Sequence, residues 1–120
     1  MGIRDIGADY LLCVKSNQRN LKDELENFFV QAEDVGHEFV SLDQVLKTET
    51  GHGRVERRRV SVSREIDWLP QKDDWRDLQS IVKLESVRES KDATEQENRY
   101  FITSLPPDPI LIAKAIRGHW

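Results

Sequence analysis

The chain has 120 residues, of which 33% are charged and 38% hydrophobic, and its net charge is -4. That length supports one domain or part of one, burying roughly two thirds of its unfolded-chain surface, and the acidic balance excludes a general electrostatic attraction to nucleic acid, so any basic footprint has to be local. No apolar run approaches the roughly 20 residues needed to cross a bilayer, and no signal-peptide layout opens the chain, so the expected location is cytoplasmic with no membrane partner.

In chain order, Asp9 to Lys15 (DYLLCVK) is a short apolar run followed by Ser16 and Asn17, which predicts a buried strand. Cys13 within it has no second cysteine to pair with and is expected to be a buried structural thiol. Asn20 stands as an N-cap, and Leu21, Leu25, Phe28 and Phe29 recur at helical spacing, predicting a helix over Leu21 to Gln31. Strand followed closely by helix is the order of an α/β fold.

From Gly36 onward the period becomes alternating. Two extended runs flank Gly51-His52-Gly53, where the glycines relieve the steric cost of positive φ, and a hairpin is predicted. Ser80 to Ser90 and Arg99 to Leu105 read as further strands, and the polar segment KDATEQEN between them reads as a hairpin connection. Asp108 is the predicted N-cap of a last helix and Pro109 its first residue, with Leu111, Ile112, Ala115, Ile116 and His119 or Trp120 along one side. The order is strand, helix, several antiparallel strands, helix, with no repeat and no linker.

No phosphate-binding glycine loop, Cys-x-x-Cys or His-Glu-x-x-His is present, and His37, His52 and His119 are too scattered to predict a metal centre. The most unusual stretch is GHGRVERRRVSV. Alternation places Arg54, Glu56, Arg58, Val60 and Val62 on one face and Val55, Arg57, Arg59 and Ser61 on the other. Arginine forks of this kind can hold phosphates bidentately. They can equally pair with carboxylates from KLESVRES on a half-exposed strand. Lys15, where its strand meets a loop, suits a phosphate contact as well as it suits solubility. Trp68 and Trp75 could stack on unpaired bases or plug a small core. From the residues alone this is an α/β piece with one basic strand and no visible catalytic centre.

The strings GADYLLCVKSNQRNLKDELENFF, TGHGRVERRRVSVS, IDWL, LQSIVKLES, RYFITSLP and AIRGHW, in that order and over essentially the whole chain, resemble the catalytic region of insertion-sequence DDE transposases in the branch of H-repeat-associated proteins. The resemblance implies an α+β or α/β fold: a partial ribonuclease H-like core carrying a mostly antiparallel β insertion, residues 36–105, between two helices, all within a single partial domain over residues 1–120. It also implies a family in which two aspartates and a glutamate bind two Mg²⁺ ions for DNA cleavage and strand transfer.

The family's Gly-Lys and Asp-Ala-Leu motifs, which bring the two aspartates, do not occur in this sequence. In the signature Tyr-x-x-Arg-x-x-x-Glu, Ile116 stands at the tyrosine place and His119-Trp120 at the Arg-Trp place, so the glutamate falls three positions past Trp120. The expectation is a fragment of a DDE transposase with no catalytic residue and no metal or other cofactor of its own, inactive alone. Its partners would be the DNA of transposon ends, contacted by Lys15, Arg54, Arg57, Arg58, Arg59 and His119, and further copies of itself through unpaired strand edges. A stand-alone module that holds DNA or a partner protein with its arginine strand is the alternative.

Overall fold

The patterned stretches condense into five strands and two helices: β1 (Leu11–Val14), α1 (Arg19–Val35), β2 (Asp43–Gly51), β3 (Arg54–Ser63), β4 (Ser80–Ser90), β5 (Thr94–Thr103) and α2 (Pro109–His119). The structure, a computed structural model, describes residues 9–15, 19–35, 42–51, 53–69, 75 and 77–119, with the side chains of residues 19, 33–35, 118 and 119 outside that set. The strands form one sheet in the order β1-β5-β4-β3-β2, and every pairing is antiparallel. Among the described residues the strand-helix opening therefore does not lead to a parallel neighbour, and the arrangement is α+β. None of the described helices is long and apolar enough to cross a membrane.

Because side chains alternate along a strand, the sheet carries two cores. Leu12, Val14, Ile81, Tyr100 and Ile102 face α1, which contributes Leu21, Leu25, Phe29 and Ala32. Leu11, Val60, Val62, Val82 and Phe101 face α2, which contributes Ile112 and Ile116. α1 is longer than its spacing predicted, because Ala32, wholly buried, adds one more turn to the apolar stripe. Asn20 lies inside this helix rather than capping it.

β1, the short edge strand, is pinned at its entry. The Tyr10 amide donates to Ser104 Oγ at 2.8 Å, the Ser104 amide donates back to the Tyr10 carbonyl at 3.1 Å, and Thr103 Oγ1 donates to the same carbonyl at 2.6 Å. Cys13, in the middle of β1, is half-buried rather than buried. Burial pushes its thiol pKa up, against the pull of the Arg99 and Lys15 cations. A raised thiol is a weak nucleophile, as a structural cysteine should be.

Two turns set the sheet register. Gly53 takes φ +76, the left-handed conformation that glycine tolerates, whereas Gly51 is simply the last residue of β2. On the other side the polar segment read as a loop is mostly strand. Lys91 and Asp92 make the turn, closed by the Ser90 amide donating to the Ala93 carbonyl at 2.8 Å, and Thr94 to Asn98 pair with β4. These residues are polar because the distal half of the hairpin runs past both helices and meets water on its two faces.

The aromatic residues serve packing. Trp75 packs against the α1-side core, and Trp68 stacks on Phe28 with ring centroids 5.0 Å apart and planes at 4°. On α2 the buried stripe is Ile112 and Ile116, while Leu111 is 39% exposed.

Candidate nucleic-acid interface

On the α2 side of the sheet, β2, β3, β4 and β5 continue beyond the core as a twisted blade, and α2 stands over its base. Between them lies a groove of about 870 Å³. Its floor is apolar, from Val60, Leu84, Phe101 and Ile116, and its walls carry Lys47, Arg58, Arg88, Arg99, Lys114 and Arg117 against the carboxylates Glu56, Glu95 and Glu97; Arg57 borders it as well, although strand alternation turns its side chain toward Glu89 on the opposite face. A concave surface with a surplus of cations, on a chain whose net charge is -4, concentrates positive potential locally.

Register decides which arginines face this groove. Val62 pairs with Val82 and Val60 with Leu84, so Arg58, Glu56 and Arg54 on β3 fall on the same face as Ser86, Arg88 and Ser90 on β4. On this face Glu56 is shared by three guanidiniums: Arg88 Nε at 3.1 Å, Arg54 Nε at 3.5 Å and Arg58 Nη2 at 3.7 Å. Glu49 is shared in the same way by Lys47 at 3.7 Å and by Arg117 at 3.5 Å, and the second contact ties α2 to β2. Arg99 pairs with Glu97 at 2.7 Å.

The opposite face of the same strands is occupied differently. Arg57 is ion-paired with Glu89, and Arg59 lies 3.8 Å from Glu85, which also accepts from Lys83 at 3.0 Å. Lys83 is almost fully buried, beneath a polar patch in which Gln44 Nε2 donates to Ser61 Oγ at 2.9 Å. Here the carboxylates of KLESVRES neutralise the arginines, so the predicted basic strand is basic mainly on one side.

The six residues expected to touch phosphate thus separate. Arg54 and Arg58 lie together on the groove face, Arg57 and Arg59 are held by carboxylates on the other, and Lys15 is exposed just past the end of β1, within reach of the Cys13 thiol's electrostatics. His119 closes α2, but its side chain, like His37, His52 and Trp120, lies outside the described residues. Lys47, Arg88, Arg99, Lys114 and Arg117, which also line the groove, are not among the six. Arg88 was legible only through the register that sets it opposite Glu56, and Arg99 only once KDATEQEN is recognised as strand.

The α2 wall depends on its first turn. Asp108 Oδ1 accepts from the amides of Ile110 at 3.0 Å and Leu111 at 3.3 Å, the predicted cap. Replacing Asp108 with alanine should cost about 0.5–2 kcal/mol. A denaturant titration showing no loss of midpoint would contradict that assignment.

Among the described residues no group of three His, Cys, Asp or Glu side chains is placed to hold a metal ion.

Comparison with known proteins supplies a kinship. An "Uncharacterized protein in dhlA 3'region" of Xanthobacter autotrophicus is 41% identical over 107 residues, covering 89% of this chain and 35% of that protein. "Putative transposase YncI" of Escherichia coli O157:H7 is 34% identical over 122 residues, covering 98% of this chain and 30% of that protein. The chain spans about a third of the length of these curated relatives. No family model matches it, and no solved structure does. The similarity relates the chain to a transposase-related family.

Proposed function

We propose that this chain is the DNA-holding part of a DDE-type transposase of the H-repeat-associated branch, a β insertion and flanking pieces of a ribonuclease H-like core. Its groove takes the phosphodiester backbone of a transposon end. The observation that carries this reading is the clustering of Lys47, Arg58, Arg88, Arg99, Lys114 and Arg117 around one concave surface of an otherwise acidic chain. The likeness to a protein named as a transposase over nearly the whole of this sequence supports it from a separate direction.

The chemistry divides accordingly. In the complete enzyme, Mg²⁺ held by two aspartates and a glutamate would activate water and then a DNA 3′-hydroxyl. This chain's own residues would bind and orient the backbone: Arg54, Arg58 and Arg88 from the blade, Lys114 and Arg117 from the helix wall, with the apolar floor keeping the groove open beneath them. Such contacts read no sequence and give binding that weakens steeply with salt.

Fluorescence anisotropy of a labelled duplex, titrated at low and moderate salt, tests the proposal. Binding that declines as salt rises is the expected result, and an unbound duplex even at low salt overturns it. The same reading gives self-association through the outer edges of β1 and β2 and no nicking by this chain in Mg²⁺ or Mn²⁺.

A further inference from the structure

The sharing of Glu56 among three arginines is poorly explained as a stabilising ion-pair network. It lies on the projecting half of the sheet, where Arg54, Arg58 and Arg88 have side chains 50%, 48% and 51% exposed. Exposed pairs of that kind add little to folding, and bringing three guanidiniums to one carboxylate sets like charges side by side. Arg88 also faces Glu95 across the β4–β5 register, and Glu49 stands opposite Glu56 on β2, where Lys47 and Arg117 take it up, so this face is still net cationic. By contrast Glu56 itself is only 20% exposed, drawn in among the three cations.

We propose that the point between Arg54, Arg58 and Arg88 is a subsite for one phosphate of a nucleic-acid backbone, and that Glu56 fills it when no nucleic acid is bound. This rests on the reading of the groove as a DNA site and adds to it a specific seat and a resident competitor. A carboxylate and a phosphodiester present similar paired oxygens to a guanidinium fork, so the geometry that holds one holds the other. The phosphate enters as Glu56 swings outward to water, a motion open to a part-buried glutamate whose three partners are themselves about half exposed. Glu56 then remains nearby as a like charge and holds affinity below what the three arginines alone would give. The device sets how tightly this segment grips DNA, so that a held end can still be released.

Anisotropy with a labelled duplex over a salt series, on the natural chain and on Glu56→Gln, tests the subsite. Removing one like charge about 6 Å from a phosphate should tighten binding by about threefold to tenfold at low salt. Adding Arg88→Ala to Glu56→Gln should abolish that gain. A natural chain that binds while Glu56→Gln binds equally or more weakly overturns the subsite and leaves the groove reading standing. Should the natural chain not bind duplex at all, the groove reading is overturned, and inorganic phosphate then judges the subsite separately. Titrated into the natural chain, it should shift the Nε–H resonances of Arg54, Arg58 and Arg88 ahead of those of Arg57 and Arg59. Equal shifts, or none, overturn the subsite by a measurement that needs no variant to fold.

Discussion

Replacing Arg58 and Arg88 together with alanine is expected to weaken duplex binding uniformly across sequences and to lower the slope of log K against log salt by about 1 for each phosphate no longer neutralised. The two residues come from adjacent strands yet share the Glu56 carboxylate, at 3.7 and 3.1 Å, so they act at one place on the groove wall. Both are about half exposed and neither belongs to a core cluster, so the fold should tolerate the loss. The matched control is Arg57 with Arg59. Those two lie on the other face, paired with Glu89 and Glu85, and their removal should change the salt slope far less. Equal effects from the two pairs would mean that the face assignment has no bearing on binding. The comparison is informative because all four residues lie on two adjacent strands and differ in the face they occupy and the carboxylates they meet.

Local signals carried the parts of the fold that depend on local physics. The hairpin around Gly53, the strand over Ser80–Ser90 and the capped helix opening at Asp108 and Pro109 each have a nearby cause: a left-handed glycine, an alternating run, a carboxylate beside free amides. Thr94 to Asn98 did not read as strand, since polarity signals a loop only where a strand has a buried face to show. This stretch has none, because it projects past the helices. The position of β1 beside β5 was likewise out of reach, resting as it does on Tyr10 meeting Thr103 and Ser104 across more than ninety residues. Leu111 joined the predicted apolar stripe by spacing, but Ile112 and Ile116 are the residues of that helix buried against the sheet, with Ala113 and Ala115 packed beside them.

The same distinction runs through the site. Alternation separated Arg54 and Arg58 from Arg57 and Arg59 without any tertiary knowledge. What it could not supply was the partner of each. Glu85 and Glu89 meet Arg59 and Arg57 because the β3–β4 pairing fixes β4 in one register; a shift by a single residue would have turned them to the groove and left the far face basic. The charge of the groove is thus a property of strand register more than of composition. Lys114 and Arg117 join it only because Ile112 and Ile116 hold α2 down against the sheet.

That dependence makes Phe101→Ala a substitution with a large expected effect on the folded chain, about 3–5 kcal/mol. Phe101 is 1% exposed, pairs with Val82 and Cys13 on its two sides, and sits in the cluster that receives Ile112 and Ile116. A loss of that size is a large share of the roughly 5–15 kcal/mol that stabilises a typical domain. Phe29→Ala, in the core on the α1 side, should cost a similar amount, since Phe29 is wholly buried. The two should nevertheless part in their effect on DNA at a temperature where both variants remain folded. The cavity left by Phe101 opens under α2 and beneath the groove floor, so Lys114 and Arg117 lose the surface that positions them and affinity falls. The cavity left by Phe29 opens on the other side of the sheet, with the blade and α2 intact, and affinity should hold. Denaturant titration supplies the two stabilities and anisotropy the two affinities. If Phe29→Ala weakened DNA binding as much as Phe101→Ala at equal folded fraction, the groove would not be the place where DNA is held.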